Sequence, residues 1–198
     1  YIIGKFARWF APTTNSGVSG YFPISNGTIF KPLTIEFTTA PSIGGYLVVD
    51  FQSTNPGNSG LPIYDFSTSP LVEINKASIN GYWRVVPSGT LTGGAYKITL
   101  TGTSISGVSS VSDLRIVKRL TNGAWTIQGT AIAGTGTNGA PIVSRSGMAG
   151  FGEFTIAGDS NINSLPVTYL NFDGIKNGER NELKWSTSSE INNKVFIV

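Results

Sequence analysis

Apolar and polar residues alternate in short runs along most of the chain, which is the pattern of half-buried β-strands. Residues 33–38 and 96–101 place an apolar side chain at every second position, so one face of each predicted strand is expected in a core and the other in water. Pairs such as Asn80-Gly81 and Asn122-Gly123 separate these runs and favour tight turns. No stretch shows helical periodicity over about 11 residues.

The same pattern, interrupted by turn residues, predicts most of the other strands. They are residues 1–10, 21–24, 46–51, 71–75, 82–86, 114–120, 125–127 and 151–157. Residues 53–61 are predicted to form a polar loop, because a proline and two glycines interrupt any regular structure there. Residues 131–150 are predicted to be the least structured stretch, and Gly134-Thr135-Gly136 within it is interpreted as a flexible loop without a phosphate-binding pattern.

This arrangement predicts an all-β protein with two parts. Residues 1–158 are expected to form a β-sandwich or jelly-roll-like domain, and residues 159–164 a polar linker. Residues 165–198 contain two alternating runs on either side of Asn177-Gly178 and the start of a third run at 194–198. Because a sandwich needs about seven strands, these residues would be the first strands of an incomplete immunoglobulin-like module, and the sequence is expected to end inside a domain.

The C-terminal residues also carry a family resemblance. Its motif is Leu165-Pro166-Val167-Thr168, Phe172, Leu183-Lys184-Trp185-Ser186, Ser189-Glu190 and Asn192-Asn193. This motif resembles a segment of surface and secreted proteins of Bacteroidetes-type bacteria, where it opens a fibronectin-III-like module before the C-terminal sorting domain of the type IX secretion system. The interval from Trp185 to Phe196 is similar to the spacing between the strand B tryptophan and the strand C aromatic residue of such modules. The resemblance implies export by this route only for a longer parent chain, in which a sorting domain would be expected beyond Val198.

The first part of the chain resembles a β-rich domain that precedes the module in the same proteins. The resemblance is carried by Tyr21-Phe22-Pro23-Ile24, Lys31-Pro32-Leu33-Thr34, Gly81-Tyr82-Trp83-Arg84-Val85 and Phe151-Gly152-Glu153-Phe154-Thr155-Ile156. It implies a non-catalytic surface domain and supplies no site residues. Together the two resemblances imply a secreted or outer-surface location.

Composition and charge exclude several other classes. The net charge is +3, and Arg115, Lys118 and Arg119 form the only small basic cluster, so a nucleic-acid partner is not expected. No window approaches the roughly 18 apolar residues of a membrane span. Cysteine is absent, so disulfides and thiolate chemistry are excluded.

Histidine is also absent, which removes serine–histidine and cysteine–histidine catalysis and the usual zinc sites. Hydrolysis of glycosides by two carboxylates remains possible from the residue types alone. The candidate carboxylates are Asp50, Asp65, Glu73, Glu153 and Asp159. None lies in a recognisable motif, so we interpret them as solubilising or turn-forming residues and predict that the protein is not an enzyme.

The nearest approach to a calcium loop is Asp159-Ser160-Asn161 together with Asn163. It lacks the regular spacing and the bidentate glutamate of such a loop, so a polar linker is the favoured interpretation. No metal and no cofactor are predicted.

Four tryptophans are candidates for stacking on sugar rings. Trp83, Trp125 and Trp185 lie in strand patterns, where an aromatic side chain most often fills the core. Trp9 is the best candidate for an exposed ring, although burial in the core is the favoured expectation for it as well.

These observations predict a non-catalytic secreted or cell-surface protein of a structural or adhesive kind. The unfinished module at 165–198 is expected to pair with other protein subunits through its open strand edges, or to be completed by further sequence. The alternative is a carbohydrate-binding module of a larger secreted enzyme, in which surface glycans would be the partners.

Overall fold

The computed structural model describes residues 1–14, 19–159, 169–178 and 180–187. In chain order the strands are β1 (Ile2–Ile3), β2 (Phe6–Phe10), β3 (Ser19–Phe22), β4 (Ile24–Ser25), β5 (Leu33–Thr39), β6 (Gly45–Gln52), β7 (Ile63–Asp65), β8 (Val72–Ile74), β9 (Lys76–Ala77), β10 (Tyr82–Ser88), β11 (Ala95–Thr101), β12 (Arg115–Arg119), β13 (Thr130–Thr137), β14 (Ala140–Met148), β15 (Gly152–Gly158), β16 (Tyr169–Asn177) and β17 (Arg180–Thr187). The helical structure in the described ranges is one 3-10 turn at Val111–Asp113.

The chain divides into two compact units, Tyr1–Asn163 and Ser164–Val198. The first unit contains two large sheets. The front sheet has the order β12–β15–β10–β6–β2, with β9 added beside β15, and the back sheet has the order β13–β14–β11–β5–β3. All pairs in both sheets are antiparallel, so the predicted all-β sandwich is confirmed.

One apolar core joins the two sheets. Its front-sheet members are Phe10, Leu47, Val49, Trp83, Val85, Ile116, Phe154 and Ile156, and its back-sheet members are Phe22, Leu33, Ile35, Phe37, Tyr96, Ile98, Leu100, Val143 and Met148. The alternating runs in β5 and β11 place every second side chain in this core, as the sequence pattern predicts.

A second, smaller core lies on the outer face of the front sheet. In β12, Val117 belongs to this core whereas its neighbour Ile116 points between the sheets, because successive side chains of a strand point to opposite faces. Its buried members are Ile74, Ala77, Val117, Trp125 and Ala157. We call residues 53–62 the cover loop, because this polar loop is hydrogen-bonded to Trp125 through the carbonyls of Gly57 and Ser59.

The predicted loop at 131–150 is wrong: this stretch forms β13 and β14, which pair antiparallel at one side of the back sheet. Three features concealed the strands. Glycines are frequent in the sequence, the β13–β14 register shifts between Ile132 and Thr135, and the buried position 145 carries an arginine where an apolar residue would be expected. Gly134-Thr135-Gly136 accordingly lies within a strand and is not a flexible loop.

Two other predicted strands also differ. Residues 1–10 are divided by Gly4, which has φ +89°, into β1 and β2. Residues 125–127 form only an isolated bridge, in which Thr126 pairs with Lys118. The side chain of Trp125 is directed into the second core, and the main chain is held by the cover loop.

In the second unit, β16 and β17 form an antiparallel hairpin around the predicted Asn177-Gly178 turn, with Asn177 opposite Arg180 and φ +65° at Gly178. The predicted linker beyond residue 159, the opening motif at 165–168 and the third run at 194–198 lie outside the described residues. The same holds for the side chains of the predicted apolar face, namely Val167, Tyr169, Leu170, Phe172, Leu183, Trp185 and Phe196.

Candidate functional site

Trp9 lies on the outer face of the front sheet, not in the core. Phe6 and Phe10 take positions on the core side of β2, so the period of two directs Trp9 outward. Its ring is 55% exposed and meets Tyr46, its cross-strand partner on β6, edge to face at a centroid distance of 5.0 Å. The expectation that Trp9 is buried is therefore wrong. Among the tryptophans whose side chains the structure describes, Trp9 is the most exposed, as predicted.

Trp83 and Trp125 are both buried, as predicted, and both indole N–H groups have partners. Trp83 Nε1 donates to the Lys31 carbonyl at 2.8 Å, and Trp125 Nε1 donates to the Gly57 carbonyl at 2.9 Å. They therefore serve as core residues with satisfied polar atoms. The side chain of Trp185 lies outside the described part of the structure.

An ion pair between Arg84 and Asp50 lies on the same outer face as Trp9. Arg84 Nε and Nη2 donate to the two carboxylate oxygens of Asp50 at 3.1 Å and 2.6 Å. The hydrogen bond to Asp50 raises the pKa of Arg84 above its ordinary value. Because the contact is bidentate, it fixes the plane of a guanidinium that remains about one-third exposed.

Asp65 is the centre of a buried ion-pair triad. Arg145 donates to both of its carboxylate oxygens at 2.8 Å and 3.0 Å, Arg115 Nε donates at 2.8 Å, and all three side chains are almost fully buried. The Ser67 hydroxyl and main-chain N–H also donate to the carboxylate. Burial alone would raise the pKa of Asp65, but the hydrogen bonds from Arg145 and Ser67 and the charge of Arg145 outweigh it, so the pKa lies well below its usual range.

Glu153 forms a second buried ion pair. Arg119 Nε donates to its carboxylate at 2.7 Å, and Arg119 Nη1 donates to the Pro56 carbonyl of the cover loop at 2.9 Å. The same guanidinium lies 4.2 Å from the ring centre of Trp125. The guanidinium therefore makes a cation–π contact with Trp125, and its hydrogen bond to Pro56 joins the front sheet to the cover loop.

The remaining candidates also lie within the β-rich unit. Glu73 is on β8 opposite Tyr64, and Asp159 accepts a hydrogen bond from Asn75 at 2.8 Å. Of the possible calcium ligands, Ser160, Asn161 and Asn163 lie outside the described residues. Within the described ranges, no group of three or more carboxylates could hold a metal ion.

The small basic cluster is not a surface patch. Arg115 and Arg119 are buried in the ion pairs with Asp65 and Glu153, and Lys118 Nζ donates to the Ala149 carbonyl. A shallow cavity of about 330 Å³ is lined in part by Lys118 and Arg119, but both cations are bonded to the protein itself. The cluster therefore offers little free positive charge to a nucleic acid.

Neither buried network was predicted from the sequence. Their only signal is the occurrence of Arg115 and Arg119 inside a strand pattern, where the partner of each charge cannot be identified from spacing. Arg145 gives no such signal, because residues 131–150 are predicted to be a loop. In these networks the carboxylate oxygens that a hydrolytic acid–base pair would need already accept hydrogen bonds from arginines. On the outer face, by contrast, Trp9 and Tyr46 leave ring surface accessible and Arg84 leaves N–H groups accessible.

Lys31 is a buried lysine near one end of the main core. Its side chain is 2% exposed, its Nζ donates to the Thr103 carbonyl, and the Phe51 ring centre lies 5.5 Å away. Burial lowers the pKa of Lys31 to about 8, from 10.5 in the unfolded chain.

Between pH 8 and pH 10.5 the unfolded chain therefore binds more protons at Lys31 than the folded chain does. We expect the free energy of unfolding to rise across this interval by about 3 kcal/mol relative to a Lys31→Met variant. The measurement is urea unfolding of both proteins at several pH values, in which the other titrating groups cancel. Parallel pH profiles for the two proteins would contradict the expectation.

No helix in the described ranges has the length and apolar character needed to cross a membrane. Comparison of the chain with family models, with curated proteins and with solved structures finds no match.

Proposed function

We propose that the chain is a non-catalytic part of a secreted or cell-surface protein with a structural or adhesive role. The supporting observation is that Asp50, Asp65 and Glu153, three of the five candidate carboxylates, bond to arginines of the sandwich itself. A glycoside-cleaving pair needs one carboxyl group that donates a proton and a second that is free to act on the sugar or on water.

The location is part of the same proposal. The motifs at 165–193 and the shorter motifs in the first unit support a type IX secretion cargo whose β-rich domain precedes a fibronectin-III-like module. The hairpin of β16 and β17 is compatible with the first two strands of such a module.

The absence of catalysis is tested by incubating the protein with polysaccharides and with casein and measuring released reducing sugar and peptide. We expect no release above the level of a heat-denatured control. Hydrolysis that disappears in an Asp50→Asn/Asp159→Asn variant would overturn the proposal.

The structural role predicts assembly through the second unit. In the part of the chain that the structure describes, β16 and β17 pair only with each other, and an isolated two-stranded hairpin is marginally stable in water. Pairing with another subunit would stabilise its strand edges.

We expect light scattering after size exclusion to show assemblies for residues 1–198 and a monomer for residues 1–163, which contain the first compact unit. The short form serves as the matched control, because it retains both sheets of the sandwich. Two monomers of the expected masses would argue against assembly through this segment.

A second candidate function is a carbohydrate-binding module of a larger secreted enzyme. It is favoured by the exposure of Trp9 and Tyr46 together on one face of a sheet. Aromatic rings in this position offer a flat apolar surface beside polar groups.

A further inference from the structure

We propose that the outer face formed by β2, β6 and β10 binds a neutral oligosaccharide, which stacks on Trp9 and extends along β6 to Arg84. We call Trp9, Tyr46, Val86 and the Arg84–Asp50 pair the outer platform. The inference rests on the adhesive or carbohydrate-binding form of the proposed function and names its ligand class and its residues.

The aromatic end of the outer platform offers both an apolar surface and a polar donor. Trp9 is more than half exposed, and among the described residues its Nε1 has no hydrogen-bond partner, unlike the indoles of Trp83 and Trp125. The edge-to-face contact with Tyr46 at 77° restrains the orientation of the Trp9 ring. A sugar ring could place its C–H face on the indole and a hydroxyl near Nε1.

The polar end lies four residues further along β6. Tyr46, Val48 and Asp50 occupy alternate positions of the strand. The Trp9–Tyr46 pair and the Arg84–Asp50 pair are therefore separated along the strand by about 13 Å. Arg84 uses Nε and Nη2 to hold Asp50, which leaves further guanidinium N–H groups for hydroxyl oxygens. This separation exceeds one sugar ring, so the matching ligand is an oligosaccharide.

The dimensions of the outer platform disfavour a protein ligand. Two aromatic side chains that are about half exposed present about 200 Å² of apolar surface, whereas a stable protein interface buries about 800 Å² on each partner. Val86, which is 45% exposed, enlarges this surface only slightly. The area suits a few sugar rings.

The charges on this face indicate a neutral ligand. Arg84 is paired with Asp50, and Arg119 is paired with Glu153, which lies next to Arg84 across the strands. The two guanidinium groups and the two carboxylates balance each other. An acidic glycan would gain little net attraction from this row, because each guanidinium is already neutralised by a carboxylate.

The test uses the whole chain and isothermal titration with neutral oligosaccharides, namely β-linked glucose, xylose, mannose and N-acetylglucosamine and α-linked glucose, with oligogalacturonate as the acidic comparison. We expect at least one neutral ligand to bind and the acidic one to bind more weakly. Trp9→Ala should weaken the binding by roughly tenfold or more, and Arg84→Gln should weaken it to a smaller extent.

Phe66→Ala is the matched control, because Phe66 is an aromatic residue that is 79% exposed on the loop between β7 and β8, outside the outer platform. It should bind as the unchanged protein does. Circular dichroism of each variant verifies that the fold is intact. Equal affinity of Trp9→Ala and the unchanged protein, preference for oligogalacturonate, or no binding of any neutral sugar would overturn the inference.

These failures are distinguishable from failure of the proposed function. Absence of glycan binding would remove the outer platform as a site, whereas the structural role is decided separately by the assays for hydrolysis and assembly. Binding of a protein in a Trp9-dependent manner, without any glycan, would also overturn the inference.

Discussion

Replacement of Asp65 by asparagine is expected to lower the free energy of unfolding by about 3–5 kcal/mol. The substitution keeps the size of the side chain but removes its charge. It leaves the guanidinium groups of Arg115 and Arg145, which are 5% and 2% exposed, without the anion that compensates them. Urea unfolding monitored by circular dichroism measures the loss.

The large effect follows from where the triad lies. Asp65 belongs to the β7–β8 hairpin and connects β12 of the front sheet to β14 of the back sheet. A buried charge that loses its partner retains its desolvation cost, and the remaining hydrogen bonds of the arginines to main-chain carbonyls offset only part of it.

The pH dependence separates the charge effect from a packing effect. The pKa of Asp65 in the folded protein lies below the value of 3.8 in the unfolded chain, so the unfolded chain binds more protons as the pH falls below that value. The stabilisation is thus complete above about pH 5 and is lost progressively at lower pH. The difference between the unchanged protein and Asp65→Asn should shrink in the same interval.

The matched control is Glu36→Gln, which removes the carboxylate of the more exposed Lys97–Glu36 pair on the back sheet. We expect it to cost about 1 kcal/mol or less, because solvent screens such a pair. Two outcomes would show that burial of the triad does not cause the loss of stability. One is an equal loss of unfolding free energy in the two variants, and the other is a difference in unfolding free energy between the unchanged protein and Asp65→Asn that stays constant down to the acid transition.

Replacement of Trp125 by alanine is expected to cost about 3–5 kcal/mol and to release the cover loop. Trp125 is 1% exposed and is the largest member of the second core. The substitution creates a cavity beside Val117, removes the hydrogen bond to the Gly57 carbonyl and takes from Arg119 the nearer of its two ring partners, leaving Tyr82 at 5.5 Å. Because the cover loop is held through these contacts, its cleavage by subtilisin should become faster.

Trp9→Ala provides the comparison within one residue type. Its ring is largely in water and touches Tyr46, so we expect a cost of about 1 kcal/mol or less and no change in the cleavage of the cover loop. Similar stability losses for the two variants, or a cover loop that stays resistant in Trp125→Ala, would contradict the role given to the second core. Denaturant unfolding and mass spectrometry of the fragments report the two effects.

The local pattern predicted the strands whose side chains alternate without interruption. In β5 and β11 every second residue is apolar, and these residues are the ones that the main core buries. Prediction failed in β14, where Arg145 occupies a core position that the sequence pattern marks as polar. Its charge is stabilised by Asp65, which is 80 residues away along the chain and which no local rule could identify.

The candidate site shows the same division. Because the sequence has no histidine or cysteine, it alone excluded the catalytic classes that depend on them, and it singled out the carboxylates and Trp9. The tertiary structure decided that Asp50, Asp65 and Glu153 bond to arginines and that Trp9 meets Tyr46 in water, because strand register and sheet order determine which side chains become neighbours. The alternation of apolar and polar residues determines which face of a strand is buried. The partner of a buried charge or an exposed ring is instead set by contacts between segments that are distant in the chain.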